Sequence, residues 1–411
     1  MPGKANTINH KEENTGMEIK GKVHYVGVND RSKALFENLW PLPYGVSYNS
    51  YLIADDEMVA LVDTVDVAFF EVYLKKIRAV IGDRKINYLI INHMEPDHSG
   101  SIALIKQYYP DIVLVGNKKT FDMVEGYYGV GGDRYVVGDG DFLKLGHHNL
   151  RFYLVPMVHW PETMVTFDET EGILFSGDAF GCFGALNGGC IDKNINTDIY
   201  WNEMRRYYSN IVGKFGNPVQ KALQKCGGLP IKMICPTHGP VWEEKIPQVI
   251  DMYDKMSRYE GEEGVVIAYG TMYGNTEELA ETIAEELSAQ GIKNIVMHNV
   301  SKTHHSFILS DIFKYKGLIV GCTTYNMHLY PEMEALLSKV AAREMKNRVM
   351  GYFGSFTWAS AAVKKLGEYT EKLKFEVVGN PVEMKQSMKE DTYRQAKELA
   401  KAMADRLKAD R

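Results

Sequence analysis

The sequence contains one stretch in which an apolar run leads through a glycine turn into a helical pattern: Val265-Val266-Ile267-Ala268-Tyr269-Gly270-Thr271-Met272-Tyr273-Gly274-Asn275-Thr276. Further short apolar runs follow at the spacing of alternating strands and helices, at residues 294–297, 318–321, 349–353 and 375–378. Amphipathic helical patterns lie between or after them, at residues 276–290, 331–343 and 389–407. This alternation predicts a doubly wound α/β domain with a parallel sheet.

The first part of the chain has a different pattern. A helical segment is indicated at residues 70–81, but β-rich runs dominate, at residues 45–53, 59–63, 150–158, 164–168 and 172–176. These runs predict a layered α+β domain. Because the polar stretch 259–264 contains glycine, we place the junction there. We therefore expect a disordered tail and two domains, at residues 1–17, 18–260 and 264–411.

Composition excludes several classes of protein. A length of 411 residues favours two or three domains. The 47 Lys and Arg are spread along the chain against 53 Asp and Glu, which argues against a nucleic-acid binder. The longer apolar runs are far short of the roughly 20 residues that a membrane span needs. Five cysteines without a C-x-x-C pair, and an N-terminus without an apolar signal region, predict a cytoplasmic protein.

Potential metal ligands are concentrated in one strand-to-helix loop, which contains His93, Glu95, Asp97 and His98. Further candidates each follow an apolar run beside a Gly or Pro turn, where a loop can direct a side chain into a shared cleft: His159, Asp178 and His238. The simpler interpretation is that the loop residues only cap or pack against the following helix. A helix cap does not also supply the three later candidates, so we favour a metal site.

The pattern H-x-E-x-D-H, followed by spaced His, Asp and His, resembles the metallo-β-lactamase fold over about the first 260 residues. The resemblance implies an αββα sandwich. Glu95 departs from it, because the hydrolases of that fold carry a second histidine there. A set of three carboxylates and four imidazoles is harder than a histidine-dominated zinc set and suits redox-active iron, and a shared Asp can bridge two cations. We therefore predict a di-iron site.

The loop after residues 265–269 contains hydroxyls, an amide and two glycines but no Lys or Arg. Backbone N–H groups, the Thr271 and Thr276 hydroxyls and the helix N-terminus can hold a phosphate monoester there. A P-loop Lys and a G-x-G-x-x-G motif are both missing, which disfavours nucleoside triphosphates and dinucleotides. The loop resembles the phosphate loop of flavodoxins, and the resemblance predicts these phosphate-binding residues: Thr271, Met272, Tyr273, Gly274, Asn275 and Thr276.

Two further loops fall at the carboxyl ends of the third and fourth predicted strands, where a doubly wound fold binds its ligand. They contain the following residues: Thr323, Thr324, Tyr325, Asn326, Gly354, Ser355, Phe356, Thr357 and Trp358. In flavodoxin-like proteins such loops flank the isoalloxazine ring, on which Tyr325 and Trp358 would stack. The predicted cofactor is FMN.

The combination of both domains resembles the flavodiiron proteins from about residue 20 onward. The resemblance implies reduction of dioxygen to water, or of nitric oxide to nitrous oxide, with FMN as the immediate electron donor. It also implies two irons per chain, distributed as follows: one on His93, Glu95 and His159, the other on Asp97, His98 and His238, with Asp178 as the bridge. Some family members leave the histidine at the position of His98 unbound. Tyr207 and Tyr208 are candidate proton donors to the bound gas, and which of them faces the metals stays open.

The resemblance further implies a head-to-tail homodimer or a dimer of dimers. With no C-x-x-C pair for a rubredoxin domain, we expect a separate electron donor such as rubredoxin or a reduced deazaflavin coenzyme. One alternative is a zinc-dependent hydrolase with an attached flavodoxin module, and another is an electron carrier with a structural metal domain. The remaining paired histidines, 147–148 and 304–305, are predicted to be surface groups.

Overall fold

The computed structural model describes residues 16–410. The chain divides into two compact units, one made of the residues up to Met204 with Pro218–Asp251 and the other of Arg205–Asn217 with the residues from Met252. Most of the tail predicted at residues 1–17 lies outside the described residues, and Met17 begins the first strand. No helix among residues 16–410 combines the length and apolar character needed to cross a bilayer.

The strands of the first unit are short, and their bounds are β1 (Met17–Lys20), β2 (Val23–Tyr25), β3 (Val28–Asp30), β4 (Leu35–Phe36), β5 (Trp40–Pro41), β6 (Val46–Tyr48), β7 (Tyr51–Ala54), β8 (Val59–Val62), β9 (Tyr88–Ile90), β10 (Val113–Gly116), β11 (Arg134–Val136), β12 (Phe142–Lys144), β13 (Asn149–Leu154), β14 (Met164–Asp168), β15 (Ile173–Gly177) and β16 (Met233–Pro236). The helices in the first 257 residues are α1 (Phe70–Ile81), α2 (Pro96–Ser99), α3 (Ile102–Tyr108), α4 (Lys118–Tyr128), α5 (Asp198–Tyr207), α6 (Gly216–Cys226) and α7 (Ile246–Ser257), and the last three cross from one unit to the other.

Two mixed sheets form the centre of the first unit. One has the order β1-β2-β7-β8-β9-β10-β11, and the other has the order β12-β13-β14-β15-β16. Strands β8, β9 and β10 run parallel, as do β15 and β16. Parallel neighbours end at the same edge of a sheet, so the loops after β8, β9 and β10 start at one edge of the first sheet, and the loops after β15 and β16 start at one edge of the second. This architecture confirms the predicted metallo-β-lactamase-like layering.

The second unit contains a parallel sheet whose strands are β17 (Glu262–Gly270), β18 (Ile295–Asn299), β19 (Tyr315–Thr323), β20 (Val349–Phe356), β21 (Glu376–Val377) and β22 (Val382–Lys385). The order is β18-β17-β19-β20-β21, and β22 also pairs with β20. Its helices are α8 (Asn275–Ala289), α9 (His305–Lys314), α10 (Pro331–Ala342), α11 (Ala362–Leu373) and α12 (Glu390–Lys408). The predicted flavodoxin-like doubly wound sheet is confirmed.

The fifth position of this sheet differs from the prediction. The run at 375–378 contributes only the two-residue strand β21, and the longer β22 occupies the rest of that edge. In β22 buried and exposed residues alternate, with Val382 and Met384 in the core. An alternating strand of four residues gives no apolar run, which is why the sequence did not indicate it.

Candidate functional site

All seven predicted metal ligands belong to the first unit. Five lie in loops that follow strands, and Asp97 and His98 lie in the short helix α2 that begins just after β9. His93 and the residues after it follow β9, and His159 lies in the loop from β13 to β14. Asp178 directly follows β15, and His238 lies two residues after β16, which runs parallel to β15. The seven side chains are buried except for that of Asp97, which is 12% exposed. The sheets therefore bring together residues that are far apart in the sequence.

The imidazole of His159 is at the centre of one set of ligands. Its Nε2 atom lies 3.0 Å from Glu95 Oε2 and 3.3 Å from His93 Nε2. The same atom lies 3.1 Å from Asp178 Oδ2. Two nitrogens and carboxylate oxygens at this separation are close enough to bind one cation.

A second set lies around the other carboxylate oxygen of Asp178, and one of its members, His98, also has a ring nitrogen within 4.8 Å of ligand atoms of His93 and Glu95. His98 Nε2 is 3.2 Å from Asp178 Oδ1 and 3.7 Å from Asp97 Oδ1. His238 Nε2 is 3.2 Å from Asp97 Oδ2 and 3.7 Å from Asp178 Oδ1. Asp178 thus presents Oδ2 to the first set and Oδ1 to the second, which is the arrangement expected of a bridging carboxylate.

The buried charges of the site perturb each other strongly. Burial alone lowers the pKa of His98, but the Asp97 and Asp178 carboxylates outweigh it and raise that pKa to about 10. Burial alone also lowers the pKa of His159, but the Asp178 and Glu95 carboxylates outweigh it and raise that pKa to about 10. Burial raises the pKa of Asp178, yet His98 and His159 hold it well below its usual range. The cluster therefore demands positive charge, which protons or metal ions can supply.

The donor set fits a pair of metal ions. Both carboxylate oxygens of Asp97 are buried, and neither has a hydrogen bond within the described part of the chain. Buried oxygens without a donor are costly unless a cation satisfies them. The mixture of imidazole nitrogen and carboxylate oxygen suits iron and other first-row transition metals.

Three residues that the sequence did not single out support the ligands. His93 Nδ1 donates a hydrogen bond to Glu162 Oε1 at 2.6 Å. Thr237 Oγ1 donates to Asp178 Oδ1 at 2.5 Å. His238 Nδ1 lies 2.8 Å from the carbonyl oxygen of Ser47, which is 191 residues away in the sequence. Contacts between such distant positions leave no local sequence signal.

The two candidate tyrosines belong to the second unit. Tyr207 ends α5, and Tyr208 begins a π-helical turn, Tyr208–Val212. Both side chains are fully buried. The ring of Tyr208 makes edge contacts with Tyr253 and Phe313. A role for either hydroxyl as a proton donor stays a prediction.

The predicted flavin loops surround a pocket of about 260 Å³ in the second unit. Its lining contains these predicted residues: Met272, Thr323, Thr324, Tyr325, Asn326, Thr357 and Trp358. Met327 and Ala359 also line it and were not predicted. Trp358 is 88% exposed and Tyr325 is 41% exposed, so aromatic faces are available at the pocket for stacking on a flat ring.

The loop before α8 has the features of a phosphate site. Gly274 is the N-cap residue of α8 and adopts a φ of 98°, so no side chain caps the first turn. The first-turn N–H groups are left for an anion. Gly274 N–H donates to Thr271 Oγ1 at 3.0 Å, which closes the loop. These features fit the phosphate of FMN.

The remaining predicted residues lie around the same loop. The hydroxyls of Thr276 and Ser355 are 2.9 Å apart, which connects the start of α8 to β20. Gly354, Ser355 and Phe356 form the end of β20. Tyr273 is 90% exposed, and Asn275 is the first residue of α8. The predicted phosphate and flavin residues thus lie together because β17, β19 and β20 end at the same edge of the parallel sheet.

The prediction for the paired histidines was half wrong. His147 and His304 are exposed, but His148 and His305 are buried. His148 Nδ1 donates to the buried carboxylate of Asp168 at 2.7 Å, whereas its Nε2 atom has no hydrogen-bond partner among residues 16–410. His305 is the first residue of α9, a helix that the sequence did not indicate.

Comparisons with known proteins agree with both units. Residues 46–239 match the ODP family beta lactamase, and residues 267–399 match Flavodoxin. The chain is 31% identical to a nitric oxide reductase of Moorella thermoacetica, over 88% of this chain and 91% of that protein. Rubredoxin oxygen:oxidoreductase from Desulfovibrio gigas has a similar structure, with a TM-score of 0.92, 29% identity, and coverage of 96% of this chain and 99% of that chain. A flavodiiron protein from Giardia intestinalis gives a TM-score of 0.90 at 26% identity, covering 96% of this chain and 97% of that chain.

Fold and site together define a two-domain flavoprotein whose first domain is of the metallo-β-lactamase type. The chain belongs to the flavodiiron proteins, as its sequence resemblance implied. FMN and a di-iron centre are the cofactors that this family and the two sites call for.

Proposed function

We propose that the chain is an oxidoreductase that reduces dioxygen to water, nitric oxide to nitrous oxide, or both, at a non-haem di-iron centre supplied with electrons through FMN. The observation that carries the proposal is the convergence of seven side chains into two sets that share Asp178. The relatives named as a nitric oxide reductase and a rubredoxin oxygen:oxidoreductase support both substrates. They give no support to the zinc-hydrolase alternative.

In this proposal each iron has its own set of ligands. His93, Glu95 and His159 would hold one iron, Asp97, His98 and His238 would hold the other, and Asp178 would be shared by both sets. We include His98 because its ring is buried and its Nε2 atom lies 3.2 Å from Asp178 Oδ1. When bound, the irons and the flavin supply the electrons that reduction of these gases requires.

The protein residues have three tasks in the reaction. The buried ligands hold their donor atoms in place and keep bulk water away from the reacting gas. Residues Thr323–Asn326 and Thr357–Trp358 hold the flavin ring, and the loop before α8 holds its phosphate. A buried hydroxyl, that of Tyr207 or Tyr208, would donate a proton to the gas if the irons were bound.

The domains and partners are proposed from the family. We propose a di-iron domain at residues 18–260 and an FMN-binding domain at residues 264–411. We also propose that the chain acts in the cytoplasm as a head-to-tail homodimer, alone or paired as a dimer of dimers. In such a dimer the flavin of one subunit would deliver its electrons to the irons of the other. A separate donor, rubredoxin or a reduced deazaflavin coenzyme, delivers the electrons.

Rapid mixing of the anaerobically reduced protein with oxygen and nitric oxide in turn tests the function. We expect fast oxidation of the flavin by at least one gas, with water or nitrous oxide as the product. The Asp178→Asn variant, with its FMN bound, should lose this fast phase. Slow oxidation with hydrogen peroxide as the product, in both proteins, would instead identify an electron carrier.

A further inference from the structure

The two proposed iron sites have the same kinds of ligand. Each has two histidines and one carboxylate of its own, and both share Asp178. A difference between the sites must therefore come from the groups that contact the ligands. Those groups are not the same on the two sides.

A carboxylate supports the first site. Glu162 is 1% exposed, and its Oε1 atom accepts hydrogen bonds from His93 Nδ1 at 2.6 Å and from the Met94 backbone N–H at 3.0 Å. Its Oε2 atom has no hydrogen-bond partner among residues 16–410. The hydrogen bonds of the Glu162 carboxylate thus go to His93 and to the next residue in the chain, Met94.

The second site has weaker support. His238 Nδ1 contacts a neutral carbonyl, that of Ser47, at 2.8 Å. His98 Nδ1 is buried without a hydrogen-bond partner in the described part of the chain. In addition, the Thr237 hydroxyl donates to Asp178 Oδ1, the bridging oxygen on this side, and so withdraws electron density from it.

We propose that Glu162 is a positioning residue that orients and polarises His93 and makes the site of His93, Glu95 and His159 the tighter of the two iron sites. The inference rests on the proposed di-iron function. A carboxylate on Nδ1 fixes the tautomer in which Nε2 carries the free lone pair, and it makes that nitrogen a stronger donor to a metal. The first equivalent of iron should therefore enter this site.

Anaerobic calorimetric titration of the metal-free, full-length protein with ferrous iron tests the inference. We expect two binding steps in the wild type. In Glu162→Gln the tighter step should weaken by about 10- to 100-fold while the weaker step is kept. Glu162→Asp retains the charge and should recover part of the affinity, and it serves as the second variant if Glu162→Gln is unstable.

Asp168→Asn is the matched control. Asp168 is also a fully buried carboxylate that accepts from a histidine Nδ1, that of His148, at 2.7 Å. That histidine is not a proposed ligand, so the variant should lose stability and keep both iron-binding steps. Equal losses of iron affinity in Asp168→Asn and Glu162→Gln would overturn the inference, because they would indicate a general effect of destabilisation.

Mössbauer spectra provide a readout that folding stability does not change. With one equivalent of enriched ferrous iron, the wild type should give a single doublet and Glu162→Gln should give two. A single doublet and an unchanged tight step in Glu162→Gln would overturn the inference and leave the proposed function intact. A wild type that binds fewer than two irons would overturn the proposed function itself, and this inference with it.

Discussion

At the scale of single residues, Asp178 is the side chain on which the metal site depends. It follows β15 directly, and its two oxygens face different ligand sets. Without its negative charge, two cations on either side would repel each other across a buried space. The other ligands can each be lost from one set, whereas Asp178 belongs to both.

We therefore expect the Asp178→Asn variant to lose iron from both sites, whereas loss of a ligand that belongs to one set should affect only one site. The amide has the same shape but no charge, so the iron content should fall from about two per chain to below one. Iron and FMN analysis of the purified variant measures this. Retention of both irons would show that Asp178 does not bridge them.

A pH dependence is expected from His148, which is not a proposed ligand. Burial alone lowers the pKa of His148, but its hydrogen bond and charge interaction with Asp168 outweigh burial and raise it. The pKa of His148 in the folded state is thus above its unfolded value of about 6.5. The pair therefore stabilises the folded state fully below about pH 6.5, and this stabilisation is lost as the pH rises through the folded-state pKa. The gap in urea midpoint between wild type and His148→Gln should thus be larger at about pH 6 than at about pH 9. An equal gap at both values would contradict this assignment.

At the scale of secondary-structure elements, the turn from β17 into α8 determines cofactor binding. Thr276 lies in the first turn of α8, with its hydroxyl 2.9 Å from that of Ser355. We propose that this hydroxyl also donates to the FMN phosphate. Hydrogen bonds to charged groups contribute about 1.5–3 kcal/mol, so Thr276→Val should weaken FMN binding by roughly 10- to 100-fold.

The chain offers a control on the same helix. Thr282 is also buried in α8, but its hydroxyl donates to the Glu278 carbonyl oxygen at 3.0 Å. Thr282→Val should therefore keep the FMN affinity. Fluorescence titration of the FMN-free proteins compares the two variants, and equal affinities would remove Thr276 from the phosphate site.

The sequence predicted those elements whose pattern is local. Helix α1 was predicted at 70–81 and has those bounds, since its apolar positions recur with the helical period. The ligand loop after β9 was predicted because four ligands share it. Strand β22 was missed because its burial alternates over only four residues. Glu162 was missed because a loop glutamate becomes recognisable only when His93, 69 residues away, is known to lie beside it.

At the scale of the whole molecule, the chain consists of two units that carry different parts of the chemistry. All proposed iron ligands lie in the first unit, and the proposed flavin pocket lies in the second. Electrons must pass from one kind of unit to the other in each turnover. The proposed head-to-tail dimer provides this transfer between subunits.

Dilution tests the dimer. Below its dissociation constant, the rate of flavin oxidation by oxygen per flavin should fall, because a flavin then lacks the irons of the other subunit. The measurement is stopped-flow absorbance over a dilution series, with the oligomeric state followed by analytical ultracentrifugation. A rate per flavin that stays constant while the dimer dissociates would contradict transfer between subunits.

The central claim is that the seven converging side chains hold two irons on either side of Asp178. Anomalous diffraction from crystals of the purified protein, recorded on both sides of the iron and zinc absorption edges, measures this directly. We predict two iron peaks about 3.5–4 Å apart, one next to each carboxylate oxygen of Asp178. A single peak, or peaks that are present above the zinc edge and absent just below it, would contradict the claim.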